Sequence, residues 1–164
     1  MSDKKFQIII DCGSSKIRAG AFNEESKNNP FFIESNFYTE QFNLKPDIQK
    51  IIASLEKSTN EYIDNIDLMI DSSKTISVAI SVFKKIEELK LRQDDIIFLI
   101  QEAKQQIKKY YSDYYIAHII INNYKIDNVD YSELPDEIDC QFISLDIIFI
   151  CLPSELVISF KNIF

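Results

Sequence analysis

The 164-residue chain sets 18 lysines and arginines against 26 aspartates and glutamates, a formal net charge of −8, which excludes the basic stripe that a nucleic-acid surface needs. Its 46% hydrophobic and 12% aromatic content supplies a core for one domain or two small lobes. No apolar run approaches the roughly 20 residues of a membrane-spanning helix, and the run behind Lys4 and Lys5 stops at Asp11, too short for a secretory signal.

Taken in chain order, the first feature is a β-hairpin over Phe6–Phe22. The β-branched run Ile8–Ile10 ends at Asp11, passes through Gly13, Ser14 and Ser15, and resumes with Ile17, Ala19 and Ala21 in alternation. Gly13 and Gly20 are the only glycines in the chain, and both fall in this hairpin. A bare-backbone turn suits anion binding, because successive N–H groups form a concavity for phosphate oxygens. Ser14 and Ser15 add hydroxyl donors and Lys16 adds countercharge. Asp11 suits a Mg²⁺ held through water, since that ion takes few protein ligands. The plainer reading is a surface hairpin whose Asp-x-Gly-Ser-Ser only makes the turn. A Walker A loop is excluded, because Lys16 follows the serines and enters a strand.

Beyond a polar turn at Asn23–Pro30, aromatics from Phe31 predict a third strand reaching Thr39, which completes an antiparallel meander. Ile48, Ile51, Ile52 and Leu55 at helical spacing predict a helix over Asp47–Tyr62. Ile66–Ile70 reads as a short buried strand. A second unit is expected from Lys74. Thr75–Phe83 alternates as a strand, and Arg92–Lys109 is a helix with Asp94 and Asp95 at its start and Lys108 and Lys109 at its end. A strand near Tyr115–Ile121 places Tyr114, Ile116, His118 and Ile120 on one side, with His118 read as structural. Asn122–Asp139 reads as an acidic, solvated loop, Gln141–Leu152 as a strand too apolar to be exposed, and Ser154–Phe164 as a helix opened by Pro153. Cys12, Cys140 and Cys151 lack metal-ligand spacing and read as buried reduced thiols of a cytoplasmic protein.

The stretch Ile9-Ile10-Asp11-Cys12-Gly13-Ser14-Ser15-Lys16-Ile17-Arg18-Ala19-Gly20 resembles the first phosphate motif of the actin and sugar-kinase superfamily, and its Ser-Ser-Lys-Ile-Arg continuation looks most like the bacterial cell-division protein FtsA. The order that follows is also similar to FtsA. Residues 1–73 resemble a partial ribonuclease-H-like, actin-like half-domain, and residues 74–152 resemble that family's inserted 1C subdomain, built strand, helix, strand, strand. Residues 153–164 would be a helix returning toward the first part. The fold class implied is α/β of the α+β kind.

The resemblance implies ATP and Mg²⁺ at Asp11, Gly13, Ser14, Ser15 and Lys16. No glycine follows Gly20, so the second phosphate hairpin and the adenosine turn of the superfamily are not expected in this chain. The region that binds the tail of FtsZ and the C-terminal membrane helix are likewise not expected. Two functions follow. One is an FtsA-like interaction module in division-complex assembly, with other cell-division proteins or another FtsA-like chain as partners and no catalysis. The other is an actin-like ATP-binding half-site completed by a second chain.

Overall fold

A computed structural model describes residues 6–13, 15–23, 31–36, 44–87, 90–135 and 138–163. The expected turn before Pro30, the end of the third strand at Phe37–Thr39, and Ser14, Asp136, Glu137 and Phe164 lie outside the described residues. Among the described residues the protein is a mixed α/β chain with three helices and two four-stranded sheets. It divides into two compact units, residues 1–73 with 159–164, and residues 74–158.

In the first unit β1 (Gln7–Cys12), β2 (Lys16–Phe22) and β3 (Phe31–Asn36) form an antiparallel meander. After α1 (Leu44–Thr59), β4 (Asp67–Ile70) pairs parallel to β1, giving the order β3-β2-β1-β4. Alternation decides the faces. Ile8, Ile10, Cys12, Ile17, Ala19 and Ala21 are buried, as are Ile48, Ile51 and Leu55 of α1, which packs on β2 and β3. The charged partners of that alternation, Asp11, Lys16 and Arg18, fall on the other face. α1 ends at Thr59 rather than Tyr62 because Asn60 turns left-handed, with φ 54°, a conformation asparagine tolerates and which stops a helix.

The second unit holds β5 (Ile76–Lys85), α2 (Gln93–Tyr110), β6 (Tyr114–Ile126), β7 (Val129–Tyr131) and β8 (Phe142–Pro153), in the sheet order β5-β8-β6-β7. β8 runs down the middle of this sheet, and its inward residues Ile143, Leu145, Ile147, Phe149 and Cys151 are all buried. α2 covers that face with Ile96, Leu99, Ala103 and Ile107. Its N-terminus is tied down by Asp95, which accepts a hydrogen bond from the backbone N–H of Arg92 at 3.0 Å and another from Lys84 of β5. Burial opposes ionisation of Asp95, but those hydrogen bonds outweigh it and hold the carboxyl below its ordinary value. α3 (Ser154–Lys161) follows β8 directly, its first amide donating to Asp113 O at 2.8 Å.

Two expectations for the second unit are corrected. Asn122–Asp139 is not a continuous loop: β6 runs on to Ile126 and turns back into β7, with Ile126 opposite Val129. Asp127 and Asn128 make the two-residue turn at φ 45° and 70°, both positive, as a hairpin of the primed type requires. Second, the residues of β6 do not keep one alternation. Its register with β8 shifts between Ile116 and His118 and again between Ile121 and Asn123, so His118 and Ile120 sit opposite Ile150 and Ile148, across the sheet from Ile116 and Ile121.

Candidate functional site

The hairpin that carries the phosphate-like motif is closed at Cys12 opposite Ile17, and the N–H of Gly13 donates to Lys16 O at 3.1 Å. This amide, the first that a phosphate would use, is engaged inside the hairpin. The turn stands at the carboxyl ends of the parallel strands β1 and β4, where the Asp71 N–H donates to Cys12 O at 3.1 Å. Ligands of open α/β sheets bind at strand ends of this kind. The Gly13 backbone is not left-handed, and an added Cβ would stand 3.3 Å from Lys16 O, a tight but local contact. Gly20 has a different reason. The Phe22 ring lies over it, 2.7 Å from where a Cβ would be, so the second glycine leaves room for an aromatic ring rather than for a ligand.

Of the sequence-derived site residues, Asp11, Gly13, Ser15 and Lys16 are described and lie within this turn and its flanks, while Ser14 is outside the described residues. Asp11 and Lys16 belong to a row of ion pairs on the face of the sheet away from α1. Strand register sets Asp11 opposite Arg18 and Arg18 opposite Glu34. Arg18 donates through Nη1 to Asp11 Oδ2 and through Nε to Glu34 Oε2, each at 3.2 Å, and Lys16 Nζ donates to Glu34 Oε1 at 2.9 Å. The hydrogen bond from Lys16 is the first cause, with Arg18 adding to it, that holds the Glu34 carboxyl below its ordinary value. Two acids and two bases leave the row without net charge. Arg18 and Glu34 are the residues the motif reading missed, although a hairpin closing at Cys12 and Ile17 already places Asp11 across from Arg18.

The Gly13 amide, Lys16 and Asp11 each have a partner, and among the described residues no group of three His, Cys, Asp or Glu side chains is placed to hold a metal. Calorimetric titration of Mg-ATP into the chain is therefore expected to show no binding tighter than about 0.1 mM, roughly −5.5 kcal/mol. Saturable heat below that concentration, lost in Asp11→Ala, would show that the ion pairs open for phosphate. Cys12 is no alternative nucleophile: burial, with the charge of Asp11 adding to it, pushes its thiol up to about 11.

The second unit offers a surface. The face of its sheet away from α2 carries, in register across β5, β8 and β6, the rows Ser77–Ile150–His118 and Ala79–Ile148–Ile120, with Leu152 opposite Tyr115 beyond them. Tyr115 is 48% and Ile120 49% exposed. Among the described residues no helix is long and apolar enough to cross a membrane. No protein-family model matches the chain, and no curated protein matches it.

Proposed function

We propose that this chain is an FtsA-like interaction module of bacterial cell division, docking another division protein on the face of its second sheet away from α2. The observation that carries the reading is that face: Tyr115, Ile120, Ile148, Ile150 and Leu152 lie together on a sheet side over which α2 does not pack. Contiguous apolar surface of this kind marks a protein contact more often than scattered exposed residues do. The resemblance of Ile9–Gly20 to the FtsA motif supplies the cellular setting, and the meander, helix and parallel strand of the first unit are compatible with it. The internally paired hairpin favours docking over nucleotide chemistry.

A fluorescent fusion of the chain in its native host tests this. The wild type is expected to concentrate at the division site. Ile120→Glu, which places a charge on the docking face while leaving the α2-side core intact, is expected to spread through the cell with an unchanged circular dichroism spectrum. A folded wild-type chain that stays diffuse in dividing cells would overturn the proposal.

A further inference from the structure

The geometry points to self-association through β5, two copies pairing their edge strands antiparallel about a two-fold axis to make one continuous eight-stranded sheet. This goes beyond the docking face and does not depend on it. β5 ends the strand order of its sheet, and among the described residues no strand lies on its outer side, so a ten-residue strand leaves its outward N–H and C=O groups as a template for pairing. Natural edges are normally blunted by charge, proline, a bulge or shortness. From Ile76 to Phe83 there is no charge, proline or glycine, and the register of β5 with β8 runs without a shift over all ten residues.

The strand is complementary to itself. A two-fold pairing keeps like faces together only if it is centred on a residue, since side chains alternate with period 2. Centring on Ala79 pairs only Ile76–Val82, because Phe83, Lys84 and Lys85 then lie opposite residues that precede the strand. Centring on Ser81 would put the Lys84 stem, held by Asp95, in the middle of the apolar row against Val78. Centring on Ile80 avoids both. It pairs Ile80 with Ile80 and Val78 with Val82, while Lys84 meets Ile76 at the end of the row.

On the outer face Phe83, 76% exposed, then lies opposite Ser77 of the copy and next to Ala79, a large ring against small residues. Above the same edge stands Phe98 of α2, 52% exposed, with Lys84 Nζ 4.8 Å from its ring centre. Two exposed aromatics therefore flank one unprotected edge, and a second strand there would cover both. The occupant best matched to this edge is a second copy of the chain.

Sedimentation equilibrium between about 1 and about 100 µM protein reads the result, a range that spans the usual affinity of a modest interface. The mass is expected to rise from 19.2 kDa toward twice that value. Ala79→Lys sets two ammonium groups diagonally across the axis and is expected to weaken the dimer at least tenfold with its circular dichroism unchanged. The double variant Ala79→Cys, Ser81→Cys alters two exposed positions that the Ile80-centred register places opposite one another. Mild oxidation is expected to give a dimer whose peptide map joins residue 79 of one copy to 81 of the other. A chain that remains monomeric over the whole range, or a dimer that Ala79→Lys leaves unchanged, overturns the inference. A monomer that still gathers at the division site would overturn self-pairing and leave the docking proposal standing.

Discussion

Phe149→Ala is expected to destabilise the second unit by about 3–5 kcal/mol, the range for removing a buried ring and leaving a cavity that closes only in part. Phe149 is fully buried in the central strand, between Val78 of β5 and Ile119 of β6, in the cluster to which α2 contributes Leu99, Ala103 and Ile107. A domain of this size is stable by only about 5–15 kcal/mol, so a loss of that size brings it near the unfolding threshold. Phe83 makes the control, being the same residue type on the neighbouring strand at 76% exposure. Phe83→Ala is expected to change the stability of the monomer by less than about 0.5 kcal/mol. Urea titrations at low protein concentration check the pair: the midpoint of Phe149→Ala falls at unchanged slope, while that of Phe83→Ala stays. Equal midpoints for the two variants would mean that β8 is not the centre of this core.

The second large effect is expected at Asp127, on the surface. Its carboxylate accepts hydrogen bonds from the Gln141 N–H at 3.0 Å and the Phe142 N–H at 2.8 Å, and its own N–H donates to Phe142 O at 3.1 Å. One side chain thus ties the β6–β7 turn to the start of β8, fifteen residues later. Hydrogen bonds to a charged group are worth about 1.5–3 kcal/mol, and exposure to water puts this site at the lower end. Asp127→Ala is expected to cost about 1.5 kcal/mol, and Asp127→Asn roughly half of that, because the amide oxygen keeps an acceptor in place. Amide exchange adds a local reading, since the N–H groups of Gln141 and Phe142 lose protection first. If Asp127→Asn costs as much as Asp127→Ala, the charge rather than the acceptor holds the turn.

The role of Asp127 is not legible in its local sequence. Asp127-Asn128 is a two-residue hairpin signal, but it lies among so many acids that a solvated loop is the simpler reading, and nothing local says that the carboxylate faces two amides of a distant strand. β6 failed differently. Its residues are apolar enough for a strand, yet the bulges near Ala117 and Asn122 break the period of 2, so counting by twos puts His118 and Ile120 on the wrong face. The phosphate-like turn presents donors and one carboxylate in sequence, but its ion pairs depend on which strand lies beside β2. Glu34 arrives on β3 from sixteen residues away.

By itself the sequence determined the local elements. Alternation in Ile8–Cys12, Ile17–Ala21 and Ile76–Val82, and the helical stripe Ile96, Leu99, Ala103 and Ile107, specify strands and helices because burial rewards only the matching period. It also determined the mixed α/β class, the burial of all three cysteines, and the short parallel strand after α1, though not the burial expected of that strand, in which Met69 is 58% exposed. The tertiary structure alone decided which polar groups meet. Whether Lys16 and Asp11 face a ligand or Glu34 and Arg18, whether β8 lies at the centre of its sheet or at its rim, and whether Phe83 is covered or bare are all set by pairing between strands far apart in the chain. Backbone hydrogen bonds are the same for every residue, so register and neighbour are chosen by the collective packing of side chains. No single stretch contains that information.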